Sequence, residues 1–205
     1  MRFLAQEARA RAGLLLGFVG TLWVVELVDL LVFQGGLDFL GIRPRNTEWL
    51  WGIVLAPFLH GGFPHLIANT APLLILGGLV LLRRRLDYVL VTAIVTLVGG
   101  FGVWLFAPRN TVHLGASGVA FGYLGYLIAR TWFERSLSSL AIALVAGFLY
   151  SGALLGVLPG QRGVSWEGHL FGLIAGGATG AVVKKPEKRL ADPLARYRRR
   201  VNAAS

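Results

Sequence analysis

Hydrophobic residues along this chain collect into long runs broken by short polar, glycine-rich or basic stretches. A helix needs about 20 apolar residues to cross a bilayer core, or slightly fewer where neighbours bury its ends. Six runs meet that requirement: residues 13–33, 65–82, 88–107, 116–132, 137–158 and 168–183. The first is too long for a removable signal peptide and lacks a small-residue cleavage site, so it reads as a retained span. The longest connection, 34–64, carries Trp49, Trp51 and Phe58 among apolar neighbours. It is expected to lie partly in the outer leaflet, where aromatic rings are at home. No period of 20 to 50 residues repeats, and no second domain is indicated. The pattern predicts an all-α membrane protein of six transmembrane helices over 13–183, with a short segment 1–12 before it and a basic tail 184–205 after it.

Composition agrees. Hydrophobic residues make up 55% of the 205 positions, only 15% are charged, and mean hydropathy is +0.65, against about 25% charge in an ordinary soluble domain. The chain has no cysteine, which excludes a disulfide scaffold, a thiol nucleophile and a Cys-ligated metal. A net charge of +10 would suggest nucleic acid in a soluble protein. Here the charges flank the apolar runs, and nucleic acid is not an expected partner. Sixteen of the 20 Lys and Arg residues lie on the side holding both termini, against Arg43, Arg45, Arg109 and Arg162 on the other. The positive-inside rule then puts both termini in the cytoplasm. The tail supplies half of that inner charge and is expected to rest near anionic headgroups.

Polar groups inside a span are costly, so each is a functional candidate. His65 and Asn69 are four apart on one face of the second run. They present donors able to hold an oxyanion or a carbonyl, and equally able to bond a neighbouring helix. Gly115-Ala116-Ser117-Gly118 opens the fourth run, where first-turn N–H groups lack intrahelical partners. By itself that pattern also fits a small-residue packing site. His169 opens the sixth run at a similar depth below the outer surface. Gly168, Gly172, Gly176 and Gly180 make a stripe beside it, and Gly118, Gly122 and Gly125 a comparable one on the fourth run. Two such stripes let helix backbones approach closely, which predicts Ser117 and His169 within hydrogen-bond reach. Glu26 and Asp29 in the first run fit either a proton path or bonds to the long outer loop, the second being favoured. His60 and His113 read as structural or solvated residues of the outer connections, and Glu167 is not expected to touch its neighbour His169 directly.

A serine turns nucleophilic when a histidine accepts its proton. Ser117 with His169 makes a dyad, and no carboxylate is evidently placed to complete a triad. Phe121, one turn after Ser117, offers a ring to pack against the imidazole. Developing charge would fall on the Ser117 N–H, His65 and Asn69.

These residues resemble those of the rhomboid intramembrane serine proteases over about residues 50 to 180. The resemblance rests on His65 and Asn69 on the second helix, Gly115 to Gly118 with Ser117 on the fourth, and His169 followed by Gly172 and Gly176 on the sixth. It implies a six-transmembrane-helix rhomboid-like bundle that hydrolyses peptide bonds in or near the transmembrane segments of other membrane proteins, usually single-pass ones. It implies no metal or cofactor, a water-filled cavity open to the outer side and a gate over about 137–166, while the composition and six-span core suggest a prokaryotic plasma membrane. Two departures stand out. The first outer loop reads Gly41-Ile42-Arg43-Pro44-Arg45 and Trp49-Leu50-Trp51 where many members have a Trp-Arg pair, and Phe121 replaces a common tyrosine. Competing readings are a metal-dependent protease or transporter using His60, His65, His113, His169 and Glu167, and a non-cleaving binder of transmembrane clients. The first lacks the H-E-x-x-H pattern of helical zinc proteases. Relatives of the second kind usually lack the serine or the histidine, and both are present here.

Overall fold

The computed structural model describes residues 2–150, 153–161 and 163–183. The basic tail 184–205 and Arg162 lie outside the described residues. Among the described residues, six long helices form the bundle. The first, α1, spans Arg2–Val28 and continues as a π-helical turn over Asp29–Phe33. Next come α2 (Phe63–Arg83) and α3 (Arg85–Phe106), the latter with a π-helical turn at Val95–Gly99. They are followed by α4 (Ser117–Glu134), α5 (Leu137–Tyr150) and α6 (Trp166–Val182). Among the described residues, α1, α2 and α3 each contain a stretch long and apolar enough to cross a bilayer alone. The other three are shorter and lean on neighbours. The first helix starts at Arg2, well before its apolar run, because nothing in Phe3–Ala12 breaks helical geometry.

At the centre stands α4, buried on all sides from Val119 to Leu127. Against it lies α6, and glycine explains how closely. A Cβ at Gly172 would overlap the Gly118 carbonyl, one at Gly176 the Gly122 carbonyl, and one at Gly125 the Leu173 carbonyl. Backbone therefore meets backbone along both helices. In lipid, where water supplies no hydrophobic drive, such van der Waals contact is a principal source of helix association. Phe171 of α6 fills the space that Gly102 of α3 leaves, 2.6 Å from where a Cβ would stand.

The outer connection between α1 and α2 is built of short 3-10 turns and one four-residue helix, Gly52–Leu55. Ile42, Ile53 and Ala56 pack against Val103, Ala107 and Phe171, while Phe39 and Trp51 stay exposed. Asp29 accepts the Leu37 N–H at 2.9 Å, so this carboxylate serves the outer loop, and Glu26 lies buried near the Gly62 backbone. At the opposite end, buried Arg130 donates to Glu134 and to the Gly180 and Val183 carbonyls that close α6. Glu134 also pairs with Arg83 of α2 and accepts from Ser139 of α5. Glu134 thus joins α2, α4 and α5 at this end, and Arg130 ties α6 to the same group.

A leucine at Gly176 has to push α4 and α6 apart. Gly176→Leu is expected to destabilise the protein by about 3 kcal/mol, lowering the unfolding temperature in detergent by about 10 °C. Gly147→Leu, where no atom lies within 4 Å of a Cβ, should leave it unchanged.

Candidate active site

Ser117 is the first residue of α4, and the loop before it is fixed chiefly by its main chain. Ile42 and His113 exchange both backbone hydrogen bonds, at 2.8 and 3.0 Å. Gly115 N–H donates to the Ala56 carbonyl at 2.9 Å, and Ala116 N–H to His60 Nε2 at 3.3 Å. Gly115 has φ +107°, and a Cβ there would stand 2.7 Å from the His65 ring. Only glycine satisfies both demands. Taking the Ala116 proton leaves His60 Nε2 unprotonated, and burial pushes this imidazole down to about 4. His60 is therefore neutral at physiological pH, a structural prop and not a solvated residue.

His169 sits in the first turn of α6, whose N-terminus is capped by Ser165 accepting from Gly168 N–H. Its Nε2 lies 2.9 Å from Ser117 Oγ and its Nδ1 2.9 Å from the Gly156 carbonyl. A carbonyl can only accept, so Nδ1 carries the proton and Nε2 is left to accept the Ser117 O–H. Phe121 stacks on the imidazole with centroids 4.2 Å apart and planes 12° from parallel. Stacking and the carbonyl together fix the ring without a carboxylate.

Across the cavity, Gly61 N–H donates to His65 Nδ1 at 3.3 Å, which makes Nε2–H of neutral His65 a donor. Asn69 gives one amide proton to the His65 carbonyl at 3.2 Å and keeps the other. Gly115, His65 and Asn69 converge beside Ser117. A cavity of about 240 Å³ opens there, lined by Asn69, Pro72, Ser117, Phe121, Tyr150 and His169. The first half of α2, the start of α4 and the stretch after α5 supply most of its wall. A serine hydroxyl facing an unprotonated imidazole nitrogen, with donors gathered on one side, is an arrangement suited to acyl transfer.

The family model described as the Rhomboid domain matches residues 47–186. The chain belongs to the rhomboid family. It is 44% identical over 183 residues to an uncharacterised protein of Mycobacterium tuberculosis, covering 85% of this chain and 76% of that one. A putative rhomboid protease of Bacillus subtilis, YdcA, is 28% identical over 156 residues, covering 70% and 72%. The Rhomboid-like protease 5 of Toxoplasma gondii is 32% identical over 139 residues, 65% of this chain and 16% of that protein. The rhomboid family is one of intramembrane proteases acting on membrane-protein substrates, and this chain is an integral membrane protein built as a helical bundle.

As a rhomboid it anchors its first outer loop without the Trp-Arg pair. Arg45, at φ +58°, donates to the Leu105 and Ala107 carbonyls at 2.7 Å each, capping α3. Its own N–H reaches the Trp104 carbonyl at 2.9 Å, and Trp104 Nε1 donates to the Asn46 carbonyl at 3.0 Å. Arg43 lies over the Trp49 ring, 4.3 Å from its centroid. Reading the residues in order missed the Gly156 carbonyl, the Ala116 partner of His60 and the bond between His113 and Ser165. The last leaves one signal in the sequence, since His113 precedes Ser117 by the same four residues by which Ser165 precedes His169.

Gly115→Ala needs a strained left-handed backbone and a displaced His65. The variant should remain folded and lose roughly 100-fold or more in reaction with a fluorophosphonate probe, because an ångström of misplacement at such a site costs about that much.

Proposed function

We propose that this rhomboid is an intramembrane serine endopeptidase in which Ser117 is the nucleophile and His169 the general base and acid. The observation that carries the reading is the 2.9 Å contact from Ser117 Oγ to an imidazole nitrogen whose ring partner is committed to the Gly156 carbonyl. Ser117 Oγ attacks the scissile carbonyl carbon as its proton passes to His169 Nε2. The oxyanion is held by the Ser117 N–H, His65 Nε2–H and the remaining Asn69 amide proton. Collapse breaks the C–N bond, and His169 returns the proton to the departing amine. Water, deprotonated by His169, then releases the acyl group and restores the serine. Phe121 keeps the imidazole flat, Gly115 leaves room for His65, and Gly118 and Gly172 allow α4 and α6 to meet.

Substrates in this reading are single-pass proteins whose transmembrane segment reaches the cavity past α2 and the end of α5, both of which contribute to its lining. The charge bias supports a six-helix unit over 13–183 with both termini cytoplasmic, in a prokaryotic plasma membrane, and with the tail against anionic lipid.

Cleavage of a transmembrane substrate in proteoliposomes tests this. Ser117→Ala and His169→Ala should abolish cleavage with the fold retained. Asn69→Ala should leave activity reduced by about 100- to 1000-fold, the usual effect of removing one oxyanion donor. Serine-directed isocoumarins should inhibit and chelators should not. Continued cleavage by Ser117→Ala would overturn the mechanism.

A further inference from the structure

One histidine beside the site takes no part in that chemistry. His113 is 9% exposed and lies between the loop that leads into Ser117 and the start of α6. Its Nδ1 is 2.6 Å from Ser165 Oγ, and its Nε2 is 2.8 Å from Thr111 Oγ1. Two flanking bonds bear on where the protons lie. The Thr111 hydroxyl donates to the Pro108 carbonyl at 2.6 Å, so its oxygen accepts from His113 Nε2–H. Ser165 Oγ accepts the Gly168 N–H at 3.2 Å. With Nε2–H committed to Thr111, a neutral imidazole leaves Nδ1 to accept the Ser165 hydroxyl proton. Burial favours that neutral form, pulling His113 below its ordinary value against a smaller opposing effect of Glu167.

The geometry points to His113 as a positioning residue for the proposed hydrolysis: through Ser165 it ties the Ser117 loop to the first turn of the helix carrying His169 and so sets the separation of the reacting pair. This rests on the reading of Ser117 and His169 given above. Both pairs join residues 52 apart, so His113–Ser165 and Ser117–His169 are successive rungs across the same two segments. Beyond them the contact passes to bare backbone, with Gly118 against Gly172. The glycines fix how close α4 and α6 come, but bare backbone places no side chain. The outer rung also joins the rest of the loop to α6, because His113 is paired through its main chain to Ile42.

The test is steady-state cleavage of a transmembrane substrate by the full chain, together with the rate of fluorophosphonate labelling. His113→Ala should lower kcat by about 30- to 100-fold, with KM within about twofold and labelling slowed in parallel. In His113→Asn the side-chain oxygen replaces Nδ1 as acceptor of the Ser165 proton, and kcat should recover to within about fivefold of wild type. Adding His113→Ala to Ser165→Ala should cost little more than Ser165→Ala alone, as expected for partners in one bond. Activity of His113→Ala within threefold of wild type, losses that multiply in the double variant, or no recovery with Asn would each overturn the inference. Should His113→Ala fail to fold, Asn against Gln decides: Asn active and Gln impaired supports the rung, and equal or reversed activities overturn it. Cleavage that survives Ser117→Ala would instead remove the underlying reading, and a Ser117-dependent enzyme indifferent to His113 would sink this inference alone.

Discussion

The approach of α4 to α6 is the constraint on which the rest of the molecule depends. Glycines on both helices remove every Cβ that would hold them apart, and each carbonyl so approached stays bonded within its own helix. Cα–H groups then face carbonyl oxygens, a weak contact that recurs where helices meet this closely. Because α4 is buried on every side, this one contact places α6 relative to the whole bundle. Ser117 and His169 stand at the matching outer ends of the two helices, where such an approach gives side chains the least freedom to miss each other.

Main-chain groups do most of the orienting at the site. The Gly156 carbonyl holds the proton of His169, the Gly61 amide takes up Nδ1 of His65, and the Ala116 amide occupies Nε2 of His60. Each bond leaves one ring nitrogen with a defined role. A carboxylate would do the same for His169 only by adding a charge at a depth where charge is costly. Neutral partners set the tautomers without that cost.

How much of this could be read in advance follows from what leaves a residue-level trace. Long apolar runs announce membrane helices, and all six coincide with helices, although α1 begins eleven residues ahead of its run and α5 ends before its own. The outer loop is different: its short turns have no period to detect, and its anchor is Arg45, a left-handed residue capping a helix about 60 positions away. At the site, the glycine stripes made the meeting of Ser117 and His169 legible. His113 and His60 were open to reading as solvated because a histidine in a connection carries no mark of burial. The Gly156 carbonyl was invisible for a plainer reason: every residue has one.

The bundle is tied at both ends, and the two ties leave different freedom to different helices. At the inner end Glu134 gathers Arg83, Arg130 and Ser139, so α2, α4, α5 and the C-terminus of α6 cannot separate there without exposing buried charge. At the outer end the rungs and glycines hold α4 to α6 alone. Tyr150, at the end of α5, lines the cavity. In the proposed reading an entering segment displaces the end of α5 or the stretch after it, where Tyr150 and Gly156 line the cavity. That stretch carries the Gly156 carbonyl, so admission of a substrate and the orientation of the base are not independent. A segment that seats with the carbonyl in place finds an imidazole ready to accept a proton, and one that dislodges it finds a ring held by Phe121 stacking without a fixed tautomer.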